Sequence, residues 1–315
     1  MDCVTGCFGK LPTHGDFLRL APDDAPSAQI DSWFLAGRID PHRQPDRAAA
    51  FAAAAPVFAL LPAANRWWAA AVFPSSDAVG RPSPFVVVAG LRASDYDDQP
   101  GLLPLLFAPF FQSAWRQHLA GWPDQPTALR QRCATLIHGI DVESAEKALL
   151  DGLGNTPQAT LWAGLFGAAE DPRRAGAMTW LAQAASAVGS GQRLILQVPV
   201  AHQLHLSFWL TLVQLLGEAE PALVAMHPTG PRPTTTLAFG PPMAESGFAA
   251  LWPDSSPGAF LSGFSNLLDE AGRQVVATSD PLHASLADGT ASLRDLLHDL
   301  VAARRTKRYT QRTDR

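Results

Sequence analysis

Asp16, Asp77 and Arg81, together with Lys10, are the polar residues whose types and neighbours could do chemistry in this chain. Lys10 and Asp16 stand in Gly6-Cys7-Phe8-Gly9-Lys10-Leu11-Pro12-Thr13-His14-Gly15-Asp16-Phe17. Asp77 and Arg81 stand in Pro74-Ser75-Ser76-Asp77-Ala78-Val79-Gly80-Arg81. Both segments combine Gly, Pro, Asp and a basic residue beside apolar runs, the composition of tight loops at the end of a sheet. If the loops lie together, Asp16 or Asp77 can pair with Arg81 or Lys10. The set then pins the loops by an ion pair and carboxylate-to-amide bonds, presents a recognition surface, or supports acid–base catalysis. Catalysis needs more than two carboxylates, because an environment must push their pKa values apart.

Other catalytic kits fall short on residue type. A phosphate loop needs a Gly four residues clear of the Gly9-Lys10 pair and a Ser or Thr after it; Val4 and Leu11 occupy those positions. Loop amides with Lys10 could still hold a small anion. His202 and His205 have a spacing that could place two imidazoles on one helix face. They lack the Glu of a zincin motif and a third ligand, so they read as helix-start histidines. His14, inside the glycine loop, is the histidine to watch. Gly263-Phe264-Ser265 continues into Asn266-Leu267 and fails as a nucleophile elbow. No nucleophile–base pair, metal cluster or cofactor motif is recognisable, so the expectation is a protein that is not an enzyme and uses no cofactor or metal.

Composition narrows the class. The chain has 315 residues, 47% hydrophobic and 17% charged, enough apolar material for a large core and too little charge for a disordered chain. A net charge of −5 gives no reason to expect nucleic acid. Three cysteines, Cys3, Cys7 and Cys133, make no disulfide framework and lack zinc spacing. The start Met1-Asp2-Cys3-Val4 carries no signal peptide, and no run reaches membrane-span length. The expectation is a soluble protein of a reducing compartment. The end of the chain is basic: Arg304, Arg305, Lys307, Arg308, Arg312 and Arg315 stand against Asp314. Such a tail is either solvated or docked on an acidic surface.

Periodicity supplies the elements that would hold these residues. Strands are expected over 4–8, 57–61, 67–73, 85–91, 193–198, 222–226 and 234–239. Helices are expected over 27–37, 46–55, 102–119, 125–138, 142–153, 173–188, 204–216 and 290–305. Phe85-Val86-Val87-Val88-Ala89 is apolar without alternation, as in a strand buried on both faces. Adjacent Trp67 and Trp68 must face opposite ways on a strand, and the outward one packs under helices or contacts a partner. The fold class is α/β: a three-layer αβα sandwich with a mixed central sheet. The domain reading is one α/β domain over 1–280, then a helix and basic tail over 281–315.

The two loops also carry a family resemblance. They resemble the signature of the TagF (ImpM) family associated with type VI secretion, G-x-x-G-K-L-P-x-x-G-D-F followed by P-S-x-D-x-V-G-R. The matching positions are Gly9, Lys10, Pro12, Gly15, Asp16, Phe17, Pro74, Ser75, Asp77, Gly80 and Arg81. Trp33 in Ile30–Gly37 resembles the family's tryptophan-bearing helix, and Arg66–Phe73 its strand before the Pro-Ser loop. Thr235–Pro242 and Phe248–Trp252 resemble its later strand, turn and closing helix. The likeness is close over roughly the first ninety residues and looser beyond. Pro56–Leu61 lacks the family's Trp-Arg, and Arg81-Pro82-Ser83 lacks the aromatic that usually follows Gly-Arg. The resemblance implies that the signature positions are structural or partner-binding. It also implies a cytoplasmic post-translational repressor that binds the forkhead-associated scaffold protein of the secretion system. A phosphatase or kinase of the threonine phosphorylation pathway is a further implied partner. The alternative from the residues is a small-anion or nucleotide sensor, or an enzyme, built on the Gly9/Asp16/Arg81 mouth.

Overall fold

The computed structural model describes residues 2–37, 39, 42–96, 99–188, 190–199, 202–217, 220–227, 234–241, 243, 247–252, 265–273, 285–286 and 289–302. Its strands are β1 (Cys3–Gly9), β2 (Leu18–Arg19), β3 (Val57–Ala63), β4 (Arg66–Phe73), β5 (Phe85–Arg92), β6 (Leu194–Pro199), β7 (Pro221–His227), β8 (Thr234–Phe239) and β9 (Ser265–Asn266). They form one sheet in the order β2-β1-β5-β4-β3-β7-β8-β6-β9. Every pairing is antiparallel except β6 with β9, which makes the sheet mixed. The α/β class expected from the sequence is what the chain adopts.

The helices are α1 (Ser27–Ala36), α2 (Pro45–Ala52), α3 (Leu103–Leu106), α4 (Ala108–Ala120), α5 (Pro126–Thr135), α6 (Val142–Asn155), α7 (Gln158–Phe166), α8 (Arg173–Val188), α9 (Gln203–Gly217), α10 (Gly247–Leu251) and α11 (Leu267–Arg273). A further helix runs over 293–302. Its start is a capping box: the Ser292 hydroxyl accepts from the Asp295 amide, and the Asp295 carboxylate accepts from the Ser292 amide. The single helix expected over 102–119 is two, parted at Phe107. Pro104 and Pro109 each sit in the first turn of a new helix, where a missing N–H costs nothing.

Alternation along β4 and β5 divides the core. Trp67, Ala69, Ala71 and Phe73, with Phe85, Val87, Ala89 and Leu91, face a large cluster shared with α3 to α9 and α11. Trp68, Ala70 and Val72, with Val86 and Val88, face a second cluster with α1, α2 and α10. The two adjacent tryptophans therefore point into opposite cores, and both are buried. Gly90, which interrupts the apolar run of β5, stands opposite Trp68; a Cβ there would come within 2.8 Å of the indole.

Trp33 of α1 ties the first half of the chain to the second. Its indole N–H donates to the Met243 carbonyl at 2.9 Å, and its ring fills the space a side chain at Gly247 would need. Truncating a tryptophan so buried costs about 3–5 kcal/mol. Residues 285–286 and 289–302 also join the main body. Gln158 of α7, fully buried, donates to the Ser285 carbonyl and accepts from the Trp162 indole, while Leu293 and Leu296 enter the larger core. The basic residues 304–315 lie outside the described residues.

Candidate functional site

The register of the sheet brings the two signature loops together. Gly9 at the end of β1 stands opposite Phe85 at the start of β5, and Phe85 stands opposite Phe73 at the end of β4. The chain leaves β1 and β4 at the same sheet end, so the 10–17 and 74–84 loops emerge side by side. Gly9 makes the exit possible. Its φ is +107°, and a Cβ would lie 2.1 Å from the Pro84 carbonyl oxygen, to which the next amide, Lys10, donates at 3.1 Å.

Asp77 is the centre of the site. Its side chain is wholly buried. One carboxylate oxygen accepts from the Val79 and Arg81 amides at 3.1 and 2.9 Å. The other accepts from Lys10 Nζ at 2.9 Å and from Arg81 Nε at 2.5 Å. Burial alone pushes such a carboxyl up. The Arg81 amide and the two cations outweigh it and hold Asp77 well below the usual carboxylate range. Around it the 74–83 loop closes on itself: Ser83 donates to Ser75, Gly80 to Asp77, and Asp77 to Arg81, all through the backbone. Gly80 takes φ +80°. Two bonds cross to the other loop besides Lys10: the Ala78 amide to the His14 carbonyl at 3.0 Å, and Arg81 Nη2 to the Gly15 carbonyl at 3.4 Å.

Of the two carboxylates that could have met Arg81, Asp77 does so and Asp16 does not. Asp16 is exposed and accepts from the amide of its neighbour Phe17 at 2.7 Å. Gly15 has neither a positive φ nor any atom near a hypothetical Cβ, so nothing in the backbone there demands glycine. His14 shares a hydrogen bond with Thr13 Oγ1 at 3.1 Å. Phe17 lies under the guanidinium of Arg19, 5.4 Å away. His202 and His205 start α9: the first accepts from the Leu204 amide, and the second is buried, with burial and its neighbour lowering its pKa. Among the described residues no cluster of His, Cys, Asp or Glu could hold a metal ion. No helix among them is long and apolar enough to cross a membrane. The cysteines are all free; Cys7 of β1 meets Cys133 of α5, and that contact plus burial push the Cys7 thiol up.

Two hollows flank the pinned loops. One, of about 670 Å³, lies between them and α1 and is lined by Lys10, Phe17, Phe34, Leu35, Arg81 and Ser83. The other, of about 450 Å³, lies between α2, the 74–82 loop and the end of α4. Pro12, Pro74, Ser75 and Gly80 line it, with Phe51, His118 and Trp122. Spacing could not have found His118 and Trp122, because they reach the loops only through the packing of α4 on β4 and β5.

The fold and this site define an α/β protein with an ordered, cross-linked double loop at one end of its sheet. Residues 6–136, from β1 into the residue after α5, match the TagF N-terminal domain, a type VI secretion system-associated family. Residues 6–136 thus carry the type VI secretion system-associated TagF N-terminal domain, and both pinned loops lie inside it. Among solved structures, PA0076 from Pseudomonas aeruginosa PAO1 is similar at 22% identity, over 42% of this chain and 62% of that one, with a TM-score of 0.34. The chain thus spans less than two thirds of that relative's length. A comparison with curated proteins finds no match.

Proposed function

We propose that this protein is a cytoplasmic, non-catalytic repressor of a type VI secretion system that binds its forkhead-associated scaffold protein and withholds it from assembly. The observation that carries the reading is the family match over 6–136, which encloses both signature loops. The geometry is consistent with a contact surface. On the outer rim of the loops Val79 is 72% exposed, and across the larger hollow Leu35 of α1 is 65% exposed. Large apolar residues so exposed and so close to a fixed guanidinium suit a partner contact. A phosphatase or kinase of the threonine phosphorylation pathway would then act on the same complex.

The rival reading, an anion or nucleotide sensor or an enzyme at the Gly9/Asp16/Arg81 mouth, loses support on the geometry. Lys10 and Arg81 both serve Asp77, and Asp77 accepts four hydrogen bonds and has no capacity left to take a proton from a substrate. Co-precipitation of the scaffold from native cytoplasm tests the proposal. Val79→Asp and Leu35→Asp should abolish capture while leaving thermal unfolding unchanged. Undiminished capture by the double variant, or turnover of a phosphoester or nucleotide lost on Asp16→Ala, would overturn it.

A further inference from the structure

The hollow on the α2 side of the pinned loops has the make-up of a small-molecule site, and it is independent of any scaffold contact. His118 and Trp122 present half-buried rings to it, backed by the buried Phe73 and Phe85. Phe73 and Phe85, end residues of β4 and β5, meet Trp122 at centroid distances of 5.9 and 5.0 Å, and His118 stacks on Phe73 at 4.2 Å with the planes 15° apart. Its walls are rigid, because the 74–82 loop is closed by its own hydrogen bonds and pinned by Asp77. A concave, preformed, mostly apolar cavity of this size with a few convergent polar groups is the usual form of a ligand site.

The polar groups define what fits. The Trp122 indole N–H donates to His118 Nδ1 at 3.4 Å, which makes the imidazole neutral and leaves its proton on Nε2 as a donor. Burial acts in the same direction on His118. The hydroxyls of Ser75 and Ser76, on the loop side of the cavity, have no hydrogen-bond partner among the described residues. The two nearby cations, Lys10 and Arg81, are both held at Asp77 and neither lines this cavity. An anion would enter a hollow whose lining, among the described residues, carries no Lys or Arg, at the cost of its hydration. Pro12, Pro74, Ser75 and Gly80, signature positions that take no part in the ion pairs, shape this cavity.

We infer that this cavity binds an uncharged, flat aromatic molecule of one or two rings, stacked against the half-buried His118 and Trp122, whose hydrogen-bond acceptor meets His118 Nε2–H and the Ser75 hydroxyl. Because the ligand would touch both the 74–82 loop and α4, occupancy would stiffen the double loop.

The test is a titration of the full chain with indole-3-carboxamide, followed by the Trp122 indole N–H signal in a nitrogen-15 correlation spectrum. Indole-3-carboxylate serves as the charged counterpart. The expected result is a saturable shift with the carboxamide. Affinity should fall by about tenfold or more for the carboxylate, and likewise for His118→Phe, which keeps the ring and removes the donor. Ala48→Trp, which fills the cavity from α2, should abolish the shift. Thermal unfolding checks that each variant folds; if Ala48→Trp does not, Ser75→Ala at the loop takes its place and should weaken binding. No saturable shift at millimolar carboxamide, equal binding of the carboxylate, or unchanged affinity in His118→Phe overturns the inference.

Discussion

The two signature loops have similar compositions and are held in different ways. The 74–83 loop carries its own closure: Asp77 caps the amides of Val79 and Arg81, binds the Arg81 side chain, and is bracketed by the Ser83-to-Ser75 backbone bond. The 10–17 loop has one internal backbone bond, His14 to Leu11, and two bonds between chain neighbours, Phe17 to Asp16 and Thr13 with His14; the bonds that fix its place come from Pro84, Ala78, Arg81 and Asp77. One buried carboxylate therefore orders both loops, and the second loop is ordered only as far as the first is. A family signature of this kind is mainly a record of one self-closed loop and its guest.

The largest effect should come from removing that carboxylate. Asp77→Ala leaves Lys10 and Arg81 facing each other without the anion and frees two amides, so it should lower the melting temperature more than any other substitution in either loop. Hydrogen exchange at Val79, Arg81 and His14 should rise together; protection of His14 unchanged in that variant would break the asymmetry drawn here. Next comes Gly9→Val, where a positive φ and a contact with the Pro84 carbonyl coincide. It should cost about 3 kcal/mol, read by denaturant unfolding.

Acid should reveal the same group. Because the Asp77 pKa is depressed on folding, its contribution is complete above the ordinary value of 3.8 and is lost as pH falls below it. Stability measured from pH 5 downward should therefore drop less steeply in Asp77→Asn than in the wild type. Lys10→Ala should have a smaller effect than Asp77→Ala, since Arg81 and two amides remain on the carboxylate, and it should loosen the 10–17 loop more than the 74–83 loop. The smallest effect is expected at Gly15→Val, within about 0.5 kcal/mol, because nothing occupies the space and φ is ordinary. A large loss there would show that the 10–17 loop has internal constraints of its own.

Much of the architecture follows from local pattern. The unbroken apolar run Phe85–Ala89 marks a strand with cores on both faces, and Ile30, Trp33 and Phe34 mark the buried side of α1. Arg173–Val188 and Thr234–Phe239 form at the bounds their periodicity predicts. The misses have physical reasons. The 102–119 segment reads as one apolar helix because periodicity does not register that Pro104 and Pro109 each open a turn. β2 is too short for a pattern, and α7 is held by long-range bonds from Gln158 to the Ser285 and Ala291 carbonyls.

The sequence by itself determined the class of elements and the two loops, and offered Asp16 or Asp77 as the partner of Arg81 or Lys10 should the loops meet. Tertiary structure alone decided that Asp77, and not Asp16, takes both cations. That choice depends on which carboxylate the sheet end buries among free amides. Composition is blind to it, since both aspartates sit in loops rich in Gly and polar residues. Only the antiparallel register Gly9–Phe85–Phe73 sets the loops side by side and places α4 with His118 and Trp122 against them, because contacts between residues so far apart in sequence are set by packing and leave no trace in local spacing.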